Sequence, residues 1–246
     1  DHIFLQTKDV IRDKHFLSYN RSAHPHRCAA GLEMFKYQLN KEGMVSFPSD
    51  IEGIEGNSFS IQEGIDMFHR ESDYNKDSVD SFRKDLPWIA DVDGIFNQNN
   101  QWDSNVYRDS FLNTYFSFVV GSVFDSYHHH EPYSVFMSEK IYKPLTNFHP
   151  FLYMSNSGTL EVLKELGFKT FHPFIDESYD KEPDNLKRFN MIISELKRLC
   201  SMKISELHNL YWQLSDILIH NQNTYYEKAF PLSEQRIEDV LNIVME

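Results

Sequence analysis

Two cysteines, Cys28 and Cys200, are too few in 246 residues for a disulfide framework or a cysteine-based metal cluster. That scarcity suggests a reducing compartment, with a cytoplasmic location as the natural expectation. Long apolar runs are missing too. No stretch approaches the roughly 20 residues of a membrane span, and no signal peptide opens the chain. Positive charge is short: 24 Lys and Arg face 37 Asp and Glu, for a formal charge of −13. General nucleic-acid binding is excluded on this count, because it needs a basic surface to displace counterions. A basic pocket inside so acidic a shell would work against the average and carry information. The chain begins at Asp1 rather than Met, which is compatible with a piece of a longer protein that has further domains.

What is present is enough for a core. The composition is 41% hydrophobic and 15% aromatic, with 20 Phe and 13 Tyr, so an aromatic-rich interior is expected. Along the chain, His15 to Tyr19 reads as a buried strand, Arg27 to Asn40 as a helix and Met44 to Phe47 as a second strand. Ile61 to His69 is expected as a helix, with Glu71 to Lys84 its exposed continuation, and Leu86 to Trp102 as irregular. Tyr115 to Val123 is the clearest strand. A helix opening near Val135 follows, then strand Phe151 to Met154, helix Thr159 to Leu166 closed by Gly167, and a short strand Lys169 to His172. From Glu182 the pattern is helical, with breaks near Ser201 and Pro231. Strand–helix alternation of this kind predicts an α/β fold: a doubly wound parallel sheet over residues 1–200, with C-terminal helices over 201–246 packed on it.

Two basic segments, each after an expected strand, carry the chemistry. The loop Asn20-Arg21-Ser22-Ala23-His24-Pro25-His26-Arg27 offers two arginines, two histidines and a helix N-terminus, a set suited to a diphosphate. It lacks the glycines of a dinucleotide fingerprint or a P-loop. The second segment is Ser138-Glu139-Lys140-Ile141-Tyr142-Lys143. In a helix, Glu139 and Lys143 share a face and Lys140 lies one step round. A carboxylate for a ribose beside a lysine for a phosphate suggests a nucleotide-diphosphate site, although E-K-x-x-K faces are commonplace on surface helices.

Weaker signals surround these two. His128-His129-His130-Glu131 has no partner at metal-ligand spacing and reads as a loop. Asp91-Val92-Asp93 matches the D-x-D that holds a divalent ion against a diphosphate. In a chain with 37 acids, and just before Gly94 and a polar run, it reads more readily as an acidic turn. The acids of Phe174 to Asp180 line a cleft or cap the next helix. For a general base the candidates are His24, His26, Asp176 and one of His128 to His130.

Taken in order, these segments resemble a group of glycosyltransferase-like proteins common in bacteria and large DNA viruses. The resemblance rests on Phe16 to Arg21 with His26-Arg27, Leu86-Pro87 with Asp91 to Asp93, and Tyr115 to Ser117. It continues through Ser138 to Pro144, His149 to Phe151, Gly167 to Phe171 and Asp176 to Asp180. The Ser-Glu-Lys segment is also similar to the donor-site motif of α1,3-fucosyltransferases, which have the two-domain GT-B architecture. The resemblance implies a Rossmann-like, GT-B-type donor half that transfers a hexose or deoxyhexose from a GDP- or UDP-linked sugar to a glycan hydroxyl. Inversion is implied, with no required metal or other cofactor. It would place Glu139 on the donor ribose and Lys140 with Arg21 or Arg27 on the diphosphate, with Asn20, Ser138 and Lys143 close by. Two departures stand out: Gly121-Ser122 replaces the usual acidic residue after the central strand, and 246 residues hold one such domain rather than two. The rival readings are a metal-dependent transferase using Asp91 and Asp93, and a non-catalytic nucleotide-sugar-binding module.

Overall fold

The computed structural model describes residues 6–20, 22–49, 60–68, 74–90, 104–124, 135 and 137–229. Its centre is a parallel sheet in the order β2-β1-β3-β4, formed by β1 (Lys14–Tyr19), β2 (Gly43–Ser46), β3 (Thr114–Val120) and β4 (Phe151–Met154). Phe16 pairs with both Gly43 and Phe116, which places β1 between β2 and β3. All seven residues of β3 are buried. That is the pattern of a parallel strand covered on both faces, and it explains why Thr-Tyr-Phe-Ser-Phe-Val-Val reads as a near-continuous apolar run.

Helix α1 (Pro25–Lys36) follows β1, with Pro25 in the first turn, where its missing N–H costs nothing. It ends before the expected Asn40. Gln38 turns the chain at φ 56°, and the four-residue α2 (Leu39–Glu42) leads into β2. Helices α3 (Ile61–Phe68) and α4 (Lys76–Asp85) pack on α1. α4 is a separate helix rather than an exposed continuation. The Asn75 side chain caps it by accepting from the Asp77 N–H. It buries Val79 and Phe82, worth about 1.5–3 kcal/mol each. A methyl group at Gly31 would sit 2.8 Å from the Phe82 ring, so glycine is what lets α4 approach α1 this closely.

Helix α5 (Ser104–Asn113) precedes β3. The helix expected from Val135 begins at Glu139 instead, as a 3-10 turn (Glu139–Ile141) continued by α6 (Tyr142–Thr146). After β4 comes α7 (Thr159–Glu165), whose Leu160 N–H is capped by Asp180 at 3.0 Å. The strand expected at Lys169 to His172 does not form. Lys169 N–H and C=O are both taken, at 2.8 Å, by the Asn221 carboxamide, which stands where a neighbouring strand would be. A second 3-10 turn (Ser178–Lys181) precedes α8 (Asn185–Cys200), N-capped by Asp184 and ending at Ser201.

Helices α9 (Ile204–Gln213) and α10 (Ser215–Thr224), with a π turn (Tyr225–Ala229), complete the described chain. They are tied back onto the sheet layer by Tyr211 to the Phe148 carbonyl and Gln222 to the Thr146 carbonyl. No helix among the described residues is long and apolar enough to cross a membrane.

Candidate functional site

β1 leads on to β2 on one side and its neighbour β3 leads on to β4 on the other, so the chain leaves the carboxyl ends of these two adjacent strands in opposite directions. In open α/β sheets this divergence leaves a crevice at the strand ends, where ligands bind. The two basic segments meet there. Lys140 Nζ donates to Ser122 Oγ at 3.2 Å, just past the end of β3. From the other side, Arg27 donates to the Gly121 carbonyl at 2.9 Å and to Ser22 Oγ at 2.5 Å. Residues more than a hundred apart in sequence thus share one short stretch, Gly121-Ser122, as their common anchor.

The histidines of the first loop divide sharply. His26 is buried and donates from Nε2 to the Gly121 carbonyl at 2.9 Å, with its ring stacked 5.6 Å from Phe124. Burial above all, with Arg27 beside it, holds its pKa down to about 3, so it is a neutral structural donor. The expectation that it takes an acceptor proton fails on geometry: the ring is enclosed and its Nε2–H is committed to a carbonyl. His24 is half-buried and stacks on His26 at 5.9 Å. Its pKa is lowered to about 4, by burial first and then by the positive charges of Arg27 and Lys140.

Arg27 is only 3% exposed, so it supports the crevice from beneath rather than reaching into it. Lys140 is half-buried and is the more accessible cation; Lys143 lies just beyond it in α6, also half-buried. Asn20 ends β1, with its N–H on the Ser46 carbonyl and its Nδ2 on Ser18 Oγ, while its buried Oδ1 has no partner among the described residues. Ser138 Oγ is likewise buried and unpaired among them. Arg21, the Asp91–Asp93 pair and His128 to His130 lie outside the described residues, as does the Glu139 side chain.

Asp176 is not part of this cluster. Its carboxylate accepts from the Ser178 N–H at 2.9 Å, and its own N–H donates to Glu195. The Ser178 hydrogen bonds, with smaller help from His172 and Arg198, keep its pKa below the usual value. It faces an open groove of about 590 Å³ along α8, shared with Lys187, Glu195 and Arg198. The acids of that loop serve helix ends instead: Asp180 caps α7, and Asp184, a little further on, caps α8.

Sequence reasoning missed two residues. Arg188, fully buried on α8, donates to the carbonyls of Phe124, Ser155, Glu182 and Pro183 and to Asn185 Oδ1, with its guanidinium over the Phe124 ring. It therefore ties the segment after β3 to the segment after β4. Nothing marks it within an amphipathic helix rich in Lys and Arg. Asn156 follows β4, is 3% exposed, and has neither amide atom paired among the described residues. Its place just past an expected strand, in Ser-Asn-Ser-Gly, was the available signal.

No group of three or more His, Cys, Asp or Glu residues able to hold a metal ion occurs among the described residues. The chain matches no protein-family model, no curated protein and no solved structure in the comparisons made. Chemically, the described residues there supply one accessible lysine, one supporting guanidinium, two serines and an imidazole, a set able to attract an anion.

Proposed function

We propose that the chain is the donor-binding, Rossmann-like half of a glycosyltransferase that moves a sugar from a GDP- or UDP-linked donor to a glycan hydroxyl, inverting the anomeric centre without a metal. One observation carries this reading: Lys140 and Arg27 converge on Gly121-Ser122 at the β1/β3 switch point of an acidic protein. In the proposed reaction the acceptor oxygen attacks the anomeric carbon while the bond to the diphosphate oxygen breaks. Charge then builds on the leaving diphosphate. Lys140 meets it directly, and Arg27 adds a fixed positive field from below in a partly water-excluded site, where such preorganised charge counts most. By resemblance to the fucosyltransferase motif, Glu139 holds the donor ribose. Asn20 Oδ1, Ser138 Oγ and the Asn156 amide, buried and unpaired among the described residues, are further groups that ligand hydroxyls could satisfy.

A thermal-shift panel of UDP-, GDP- and dTDP-sugars, with and without manganese, tests the assignment. Stabilisation by a GDP- or UDP-sugar that survives a chelator and weakens in Lys140→Ala is the expected result. No shift with any donor removes it, and activity that needs manganese transfers the chemistry to Asp91 and Asp93. The enclosure of His26 and the lowered basicity of His24 leave no well-placed base among the described residues of the cluster, which favours a second reading, a donor-binding module without turnover. Saturable binding without sugar release to any acceptor or to water would select it.

A further inference from the structure

Resting on that donor-site reading, we propose that His24 is a second phosphate contact beside Lys140, binding the donor diphosphate as an imidazolium and taking up a proton as the complex forms. His24 stands half-buried at the N-cap of α1, in the loop that follows β1, and its side chain makes no capping hydrogen bond to the helix behind it. Arg27 faces it from α1, Lys140 from the turn that begins at Glu139, and the neutral His26 ring stacks against it. Among the described residues, both charges acting on it are positive. Burial first, and then the positive charges of Arg27 and Lys140, make this imidazole a poor base in the free protein, with a pKa of about 4.

The two cations that repel a proton from His24 are the ones a diphosphate would neutralise. With anionic oxygens against Lys140 and above the buried Arg27, the field at His24 becomes less positive and the imidazolium gains a hydrogen-bond acceptor of opposite charge. The linkage is reciprocal. A ligand that raises the proton affinity of His24 is itself bound more tightly when the proton is present. The role of His24 is then to hold the leaving group, and the base that accepts the acceptor's proton belongs to the acceptor side of the site.

Titration calorimetry of GDP and UDP into the full chain at about pH 6, in buffers of different ionisation enthalpy, reads the proton directly. Wild type should take up roughly one proton more than His24→Gln, because the nucleotide's own protons cancel in the difference. Wild-type affinity should also fall severalfold from about pH 6 to about pH 8, more steeply than that of the variant. Tight binding with equal uptake in both proteins overturns the role of His24 and leaves the donor site standing. Failure of folded wild type to bind either nucleotide overturns both. If His24→Gln does not fold, the His24 imidazole NMR titration in wild type decides. Its midpoint should climb from about 4 to about 7 or above with saturating nucleotide, and an unmoved midpoint sinks the proposal.

Discussion

The two ends of the β-sheet are built on opposite principles. At the amino-terminal end, Arg12 donates to the carbonyls of Phe111 and Thr114 and stacks on Tyr211 at 3.9 Å. His149 accepts from Ser117 Oγ at Nδ1 and donates from Nε2 to the Thr114 carbonyl, and the Tyr211 hydroxyl closes onto Phe148. None of these buried polar atoms lacks a partner. At the carboxyl end, Asn20 Oδ1, Ser138 Oγ and both amide atoms of Asn156 are buried and unpaired among the described residues. Leaving such groups unmet costs about 1–3 kcal/mol each, a cost a fold carries where a ligand or ordered water completes the bonding. Among the described residues, one end of the sheet has these buried polar atoms paired, and the other end keeps several that are not.

The largest test of this contrast is acid. His149 at one end and His26 at the other are both held neutral by burial, with pKa values of about 3 against an ordinary 6.5. The unfolded chain binds more protons below that ordinary value, so their contribution is complete above it and is lost as pH falls towards the folded values. At about 1.4 kcal/mol per unit for each group, moving from pH 6.5 to 4.5 should remove roughly 5 kcal/mol in urea unfolding. His149→Gln should flatten about half of that slope; an unchanged slope would show that this ring is not the titrating group.

Next comes Arg12→Ala, which strips two buried carbonyls of their donor and uncovers the Tyr211 ring. A loss of roughly 3–5 kcal/mol is expected, with nucleotide affinity per folded molecule unchanged. A fall in affinity would mean the two ends are coupled. Lys140→Ala should do the reverse, weakening nucleotide binding about ten- to a hundredfold with less than about 0.5 kcal/mol lost in stability. Unfolding without weaker binding per folded molecule would move the site elsewhere. The smallest effect is expected from Asn221→Ala. Losing both bonds to Lys169 should cost about 1–2 kcal/mol and leave the crevice untouched, as unfolding and calorimetry on one sample would show.

Much of the fold was legible. Strands at His15 to Tyr19 and Phe151 to Met154, the start of α7 at Thr159 and the break at Ser201 follow from local apolar patterning and capping chemistry. The failures have nonlocal causes. Lys169 to His172 has the look of a strand, but the group that occupies its hydrogen bonds is an asparagine 52 residues downstream. The stretch before Asp85 looked wholly polar because only Val79 and Phe82 of α4 turn inward. Of the candidate site, the residue types were readable and their accessibility was not. Nothing in His24-Pro25-His26 says that one ring is half-buried between cations while the other is shut beneath a carbonyl.

Local chemistry sufficed to establish an acidic, aromatic-rich α/β chain with basic loops after its strands, because charge, periodicity and helix breaking are properties of neighbouring residues. Three-dimensional packing alone brought those loops together. It brought Arg27 and Lys140 onto Gly121-Ser122, sent Asp176 to another surface, and set Arg188 to tie the segments after β3 and β4 together. The physical reason is that electrostatic fields and burial depend on distance in space, and only the strand order β2-β1-β3-β4 converts sequence separation into that distance.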